Sequence, residues 1–422
     1  MLSKKIEILT RALQRERKAK EIAEGIIENR LRELYDSNQS LTQDIIQKEE
    51  FQQRIEKACR LMQKQNVPAL YLHAGTNLFY FTGMKWNASE RMVGALLFPN
   101  GKLIYIAPEF EKGTIFDFML IKGSVRGWEE HESPYQLFGT LLKENGVEIE
   151  TVSMDEGTPF FVFDGIRNCQ NTYEFINAKP ITAGCRMIKS DAEIAIMQHA
   201  MNITLEVQKA VARILHVGIS AKEVTDFIHN AHVKYGATSG SYFCIVLFGV
   251  DSSFPHGVKA PKNLEENEVV LIDTGCMLHD YISDITRTYV FGTPNEEQTR
   301  IWNLEKKTQQ AVFDAAQLGN TCSDVDAASR LVLESHGLGP DYKSPGLPHR
   351  TGHVIGLEIH EWPYVVRNDN TVLEPGMTFS NEPMICVPDK FGIRLEDHIY
   401  MTNEGPKWFT KPMYSIANPF GI

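Results

Sequence analysis

The chain has 422 residues, 43% of them hydrophobic, and sets 43 lysines and arginines against 54 aspartates and glutamates for a formal charge of −11. That length suits two or three domains, and the acidic balance argues against a nucleic-acid partner, which would want a basic face. No run approaches the roughly 20 apolar residues that span a bilayer. The seven cysteines are scattered, odd in number and without a C-x-x-C pair, and MLSKKIEILTRALQRERKAKE lacks the apolar core of a signal peptide; both features predict a soluble, cytoplasmic protein.

Residues 1–50 are charge-dense, with one glycine and no proline, and predict one long helix. Leu2, Ile6, Leu9 and Leu13 follow a heptad seam that Ile27, Leu34 and Leu41 resume, but Glu16 and Lys20 interrupt it. The reading is a helix lying on its own domain or on a neighbouring subunit, with a coiled coil as the alternative. The segment resembles charged linker helices that precede sensory modules in bacterial signalling proteins, which assigns no activity.

Residues 51–185 read as an α/β domain. "RIEKACRLMQKQ" is amphipathic, "ALYLH" is strand-like, and "GALLFPNGKLIYIAP" predicts a hairpin turning at Pro99, Asn100 and Gly101. Residues 186–422 read as α+β with an internal repeat. Capping boxes at Ser190–Glu193 and Ser220–Glu223 open two helices, and the strands "EVVLIDTG" and "SDITRTYVFG" follow. A helix from near Pro294 to Gly319, another from about Ser323 to Gly337, and the strands "GMTFSNEPMICV" and "GIRLEDHIYMT" repeat that order.

Each predicted hairpin places two acids in apolar strands: Asp273 and Asp284, then Glu382 and Glu396. Buried carboxylates are costly unless something positive neutralises them. "GLPHRTGHVIGLEIHEWP" adds His353 as a nitrogen donor. Four carboxylates and an imidazole suit Mn²⁺, Fe²⁺, Co²⁺ or Zn²⁺. Five ligands are too many for one catalytic zinc with an open position, whereas two ions roughly 3.5–4 Å apart with bridging carboxylates account for the number.

In order and spacing, Asp273, Asp284, His353, Glu382 and Glu396 resemble the dinuclear ligand set of the pita-bread metallopeptidases, and "GHVIGLEIHEWP" resembles the branch that holds prolidase and Xaa-Pro aminopeptidase. Residues 186–415 carry the resemblance, and the preceding domain is similar to the creatinase-type N-terminal domain. The resemblance implies two divalent ions, Mn²⁺ foremost, with Asp273 on one, His353 and Glu382 on the other, and Asp284 and Glu396 bridging. It implies a hydroxide held between the ions as nucleophile, with Glu382 taking its proton. His256, 17 residues before Asp273, and His360 match substrate-facing histidines that would stabilise the oxyanion and protonate the leaving nitrogen. His349 would line the leaving-group pocket, Arg367 would bind a substrate C-terminal carboxylate, and Arg394 would orient ligands from behind them. Cys276 and Asp280 read as structural. Val354 stands where many relatives carry glycine and would narrow the cleft.

The expected reaction is hydrolysis of Xaa-Pro dipeptides by a homodimer. An Xaa-Pro aminopeptidase on longer peptides, a metal-retaining enzyme for a small non-peptide substrate, and a non-catalytic binding protein are the alternatives.

Overall fold

The computed structural model describes residues 46–148, 151–170 and 172–421. All but the last five residues of the expected 1–50 helix lie outside them. The first described helix, α1 (Lys48–Gln65), continues through the expected boundary and turns Phe51, Ile55, Ala58 and Met62 inward.

The N-terminal domain is a six-stranded sheet in the order β4-β3-β2-β1-β5-β6. Its strands are β1 (Ala69–His73), β2 (Gly94–Leu97), β3 (Leu103–Pro108), β4 (Ser124–Trp128), β5 (Thr151–Met154) and β6 (Glu174–Asn177). The hairpin read from "GALLFPNGKLIYIAP" is β2–β3, paired from Gly94 with Ile106 to Leu97 with Leu103. Side chains alternate across the sheet, so Leu70, Leu72, Ala95, Leu97 and Tyr105 join one core with α1 and α6 (Lys179–Arg186). Ala69, Tyr71, Leu96, Ile104 and Ile106 join another with α4 (Pro134–Glu144) and α5 (Phe160–Cys169). Two short helices, α2 (Thr76–Thr82) and α3 (Lys112–Phe118), complete this domain.

Both predicted capping boxes close reciprocally, opening α7 (Asp191–Val211) and α8 (Ala221–Lys234). The repeat gives α9 (Glu296–Ala315) and α10 (Cys322–Ser335), each with a capping box of its own, at Asn295 and Thr321. The first hairpin is β8 (Glu268–Leu278) against β10 (Ile285–Phe291), with β9 (Tyr281–Ile282) between them. Strand β7 (Ser241–Phe248), absent from the sequence reading, lies on the other side of β8 as a sheet edge.

The second hairpin departs from expectation. "GMTFSNEPMICV" is two strands, β13 (Thr378–Asn381) and β14 (Met384–Val387), in different sheets. "GIRLEDHIYMT" is likewise β15 (Phe391–Arg394) and β16 (Asp397–Thr402). The breaks fall at Glu382–Pro383, where proline has no N–H to give, and at Leu395–Glu396; at both the chain crosses between sheets. A five-stranded sheet in the order β12-β11-β13-β16-β17 adds β11 (Gly352–Val354), β12 (Glu361–Val365) and β17 (Gly405–Trp408). Among the described residues, no helix is long and apolar enough to cross a membrane.

Buried ion pairs join these parts. Arg54 of α1 bonds the Tyr281 hydroxyl at 3.1 Å and lies 3.3 Å from Glu193 of α7, linking the domains. Arg287 of β10 donates to Asp397 and to the Glu396 carbonyl, each at 2.7 Å, joining the two repeats. Breaking a buried pair by removing one partner strands the other charge. Asp397→Ala is therefore expected to lower stability by about 3–5 kcal/mol in urea unfolding, whereas removing the exposed Lys222–Asp226 pair should change it by less than about 1 kcal/mol.

Candidate metal centre

Strand β8 carries Asp273 directly opposite Thr286 of β10, and Asp284 stands just ahead of β10. His353 is the middle residue of β11. Gly352 lets that strand press on β13, since a Cβ there would sit 2.0 Å from the Ser380 carbonyl oxygen; the His353 N–H donates to the Ser380 hydroxyl oxygen at 2.9 Å. Glu382 and Glu396 occupy the two strand breaks, with their N–H groups donating to the Thr351 and Thr286 carbonyls. Irregular backbone at both positions aims each acid into the space between the sheets.

One ligand atom from each of Asp284, His353 and Glu396 lies within 4.8 Å of the others. His353 Nε2 is 3.2 Å from Glu382 and 3.8 Å from Asp284. Asp273 joins the cluster through Arg394, which donates to its carboxylate. Arg394 Nε also donates to Thr286 Oγ1 at 3.0 Å, and that hydroxyl donates to Glu396 at 2.6 Å. Its third contact, 3.3 Å to the Pro255 carbonyl, fixes the loop before His256. Two residues apart, Arg394 and Glu396 would share a face if the strand were regular. The strand instead ends between them, and Thr286 joins them.

The donor set fits divalent cations. Asp273, Asp284 and Glu396 each keep one buried oxygen without a partner among the described residues. His353 is fully buried, and its Nδ1 meets the Val354 carbonyl at 3.1 Å, which assigns the ring proton there and leaves Nε2 free as a ligand atom. Burial holds the His353 imidazole well below its usual range, so it adds no charge. Four carboxylates thus face one guanidinium, three more than it can balance once all are ionised.

Burial, then repulsion from neighbouring acids, pushes Asp284 and Glu396 well above the ordinary carboxylate range. Burial raises Glu382 to about 7.

His360 stands edge-on to His353 with ring centroids 4.4 Å apart and is exposed to the cleft. His256 is also exposed and lies within electrostatic reach of both His360 and His349. His349 Nε2 is covered and unpartnered among the described residues, and burial lowers its ring to about 4. Arg367 does not join this group; it is exposed and paired with Asp341. Val354 faces away from the cleft, packed against Phe379 and Ile399, because neighbours on a strand point to opposite faces. It does not narrow the site. Cys276 is buried against Ser283 and Thr204, and Asp280 pairs with Lys85, both structural as read.

Three contributors escaped the sequence reading. Thr286 lies two residues after Asp284, the same-face spacing of a strand. Arg350 stacks over Tyr364 at 4.3 Å and acts electrostatically on His353, His360 and Glu382. Glu361 accepts the N–H groups of Leu357 and Glu358 and pairs with Arg186 and Lys189, holding the loop that carries His360.

The family model for metallopeptidase family M24 matches residues 195–403, and that for the creatinase/prolidase N-terminal domain matches 54–188. A peptidase of Staphylococcus epidermidis is 31% identical over 358 residues, 85% of this chain and 99% of the relative. The chain belongs to metallopeptidase family M24. Its fold is a creatinase-type domain followed by a pita-bread domain, as the sequence predicted. This M24 peptidase is also 29% identical to an Xaa-Pro dipeptidase of Pyrococcus horikoshii, over 85% of the chain and 97% of the relative. A dipeptidase from Mycobacterium ulcerans superposes with a TM-score of 0.82 at 27% identity, covering 88% of this chain and 98% of that one.

A carboxyl group harder to ionise in the fold than in the unfolded chain keeps its proton to higher pH when folded. The folded state then binds more protons, and stability falls as pH rises. For Glu382 that window runs from its ordinary 4.5 to about 7, and Asp284 and Glu396 extend it upward. Thermal melts of metal-stripped enzyme should therefore fall between pH 5 and 8, and MnCl₂ should restore most of the loss.

Proposed function

We propose that this enzyme hydrolyses Xaa-Pro peptide bonds, dipeptides above all, using two divalent ions, Mn²⁺ foremost, held by Asp273, Asp284, His353, Glu382 and Glu396. The observation that carries the reading is the convergence of the buried Asp273, Asp284, His353 and Glu396 with the partly buried Glu382, three of the acids keeping an oxygen unpartnered among the described residues, on a cleft bordered by His256, His349 and His360. Its similarity to an Xaa-Pro dipeptidase supports the substrate class.

Bound ions at this cluster would supply positive charge to polarise a carbonyl and to acidify water. The chain's own residues do the rest. Glu382, held at about 7 by burial, is matched to accept and return a proton near neutral pH. Burial also keeps His360 below its ordinary range, so at neutral pH it offers an N–H from a neutral ring to the developing oxyanion. His256 faces the same cleft and protonates the leaving nitrogen. That nitrogen belongs to an imide with no N–H, which peptidases that grip an extended backbone handle poorly. Arg394 keeps Asp273, Glu396 and the His256 loop in register. Arg350 replaces Arg367 as the group for a substrate carboxylate, since guanidinium matches carboxylate geometry.

A second reading, aminopeptidase action on longer peptides, draws on a cavity of about 530 Å³ lined by His256 and by Cys244–Leu247 of edge strand β7. An extended peptide could pair with that edge.

Metal-reconstituted enzyme should cleave Ala-Pro and Leu-Pro but neither Ala-Ala nor Ala-Pro-Ala. Cleavage of the tripeptide would move the assignment to the aminopeptidase, and cleavage of none would overturn it. Glu382→Gln is expected to lower kcat at least ~100-fold with the fold intact by circular dichroism.

A further inference from the structure

Each repeat of the catalytic domain opens with a helix that carries one buried glutamine. These are Gln208 near the end of α7 and Gln309 on α9, only 0% and 1% exposed. Glutamine is mostly a surface residue, and an amide at this depth must find partners for its donors. Both side chains direct their donors to the strand ends that carry the proposed metal ligands.

The Gln208 amide nitrogen donates to the Ile272 and Ile285 carbonyls, each at 3.0 Å. Ile272 precedes Asp273, and Ile285 follows Asp284. Gln208 Oε1 has no partner among the described residues, so the residue serves here as a donor. Gln309 repeats the arrangement. Its amide nitrogen donates to the Leu395 carbonyl at 3.1 Å and to Asp397 at 3.2 Å, and its main-chain carbonyl accepts from Asn381 Nδ2 at 2.8 Å. Asn381 precedes Glu382, while Leu395 and Asp397 flank Glu396. In each repeat, the residue before the first acid and the residue after the second are tied to one glutamine.

The backbone shows why such ties are needed. Asp273 lies within β8 and is held by ladder pairing with Thr286. Asp284, Glu382 and Glu396 stand outside their strands, where the ladder no longer sets the spacing of one acid from the next. The acids also repel one another, which pushes their chain segments apart. A side-chain amide offers two N–H donors in a fixed plane. It can hold two segments at a set separation without adding charge to a site already rich in acids.

We propose that Gln208 and Gln309 are paired positioning residues for the metal centre, each setting the separation of the two acids in its own repeat. The inference rests on the metal assignment proposed above and adds two residues that touch neither ion nor substrate. Groups that orient a metal's ligands are typically worth about 10–100-fold in metal affinity.

Calorimetric titration of metal-stripped, full-length protein with MnCl₂ at one fixed pH tests the inference without peptide. The wild type should bind two Mn²⁺. Gln208→Met and Gln309→Met keep the side-chain length but remove the donors, and each should weaken Mn²⁺ binding at least ~10-fold. In crystals soaked at limiting Mn²⁺, Gln208→Met should lose more occupancy at the anomalous peak nearer Asp273. Gln309→Met should lose more at the peak nearer Glu382. Gln208→Glu, whose buried carboxyl keeps its proton and one donor, should bind with an affinity between wild type and Gln208→Met. Ile228→Ala, in the core beneath α8, should lower the urea midpoint and leave Mn²⁺ affinity unchanged. That control separates positioning from general loosening.

Wild-type affinity in folded Gln208→Met or Gln309→Met would overturn the inference, as would equal weakening in Ile228→Ala. Should a methionine variant fail to fold, Gln208→Glu carries the test, and wild-type affinity there would overturn it. A wild type that binds fewer than two ions would overturn the metal reading along with this inference. Two ions in the wild type with unaffected variants would overturn this inference alone.

Discussion

One buried guanidinium, Arg394, faces three buried carboxylates and the partly buried Glu382, and this surplus of acids over counter-charge shapes the catalytic domain. Charges at this depth are tolerated only when paired and hydrogen-bonded. Arg394 satisfies Asp273 directly and Glu396 through Thr286, then spends its remaining contact on the loop before His256. It cannot neutralise all four, and His353 adds no proton of its own. The fold thus holds a charge deficit that two divalent ions would fill. The same deficit explains why the acids come from different strands: no single regular strand could present four carboxylates to one point.

Much of this was legible in the sequence, for stated physical reasons. Helix starts were announced by S-x-x-E boxes, which close as reciprocal hydrogen bonds at Ser190 and Ser220. Acids in apolar runs signalled Asp273, Asp284, Glu382 and Glu396, because such placement is costly without a purpose. The missed features are those that periodicity cannot report. Strand β7 is a continuous apolar run with no alternation to mark it. The breaks at Glu382 and Leu395 depend on where two sheets meet, which is tertiary information. Val354 was misjudged because its direction depends on β11 being a strand, and a glycine-punctuated histidine run does not look like one. Arg367 was chosen for its chemistry alone. Arg350, with the same chemistry, lies closer in the chain to His353 and stacks on Tyr364.

The two domains are not independent supports. Glu361 holds the turn that carries His360, yet its charge is met by Arg186 at the end of α6 and by Lys189 at the start of the second domain. Arg54, near the start of the described chain, reaches Tyr281, three residues before Asp284. Positions of one proposed ligand and one proposed substrate-facing histidine therefore depend on the N-terminal domain. The creatinase-type domain serves the site through these buried contacts.

The central claim is that Asp273, Asp284, His353, Glu382 and Glu396 form a single centre for two ions. Anomalous diffraction from crystals of Mn²⁺-reconstituted protein, collected on either side of the manganese edge, addresses it directly. The account predicts two peaks, roughly 3.5–4 Å apart, enclosed by those five side chains, with Arg394 still bonded to Asp273. A single peak, or density that leaves Asp273 or Glu382 uncoordinated, would contradict it.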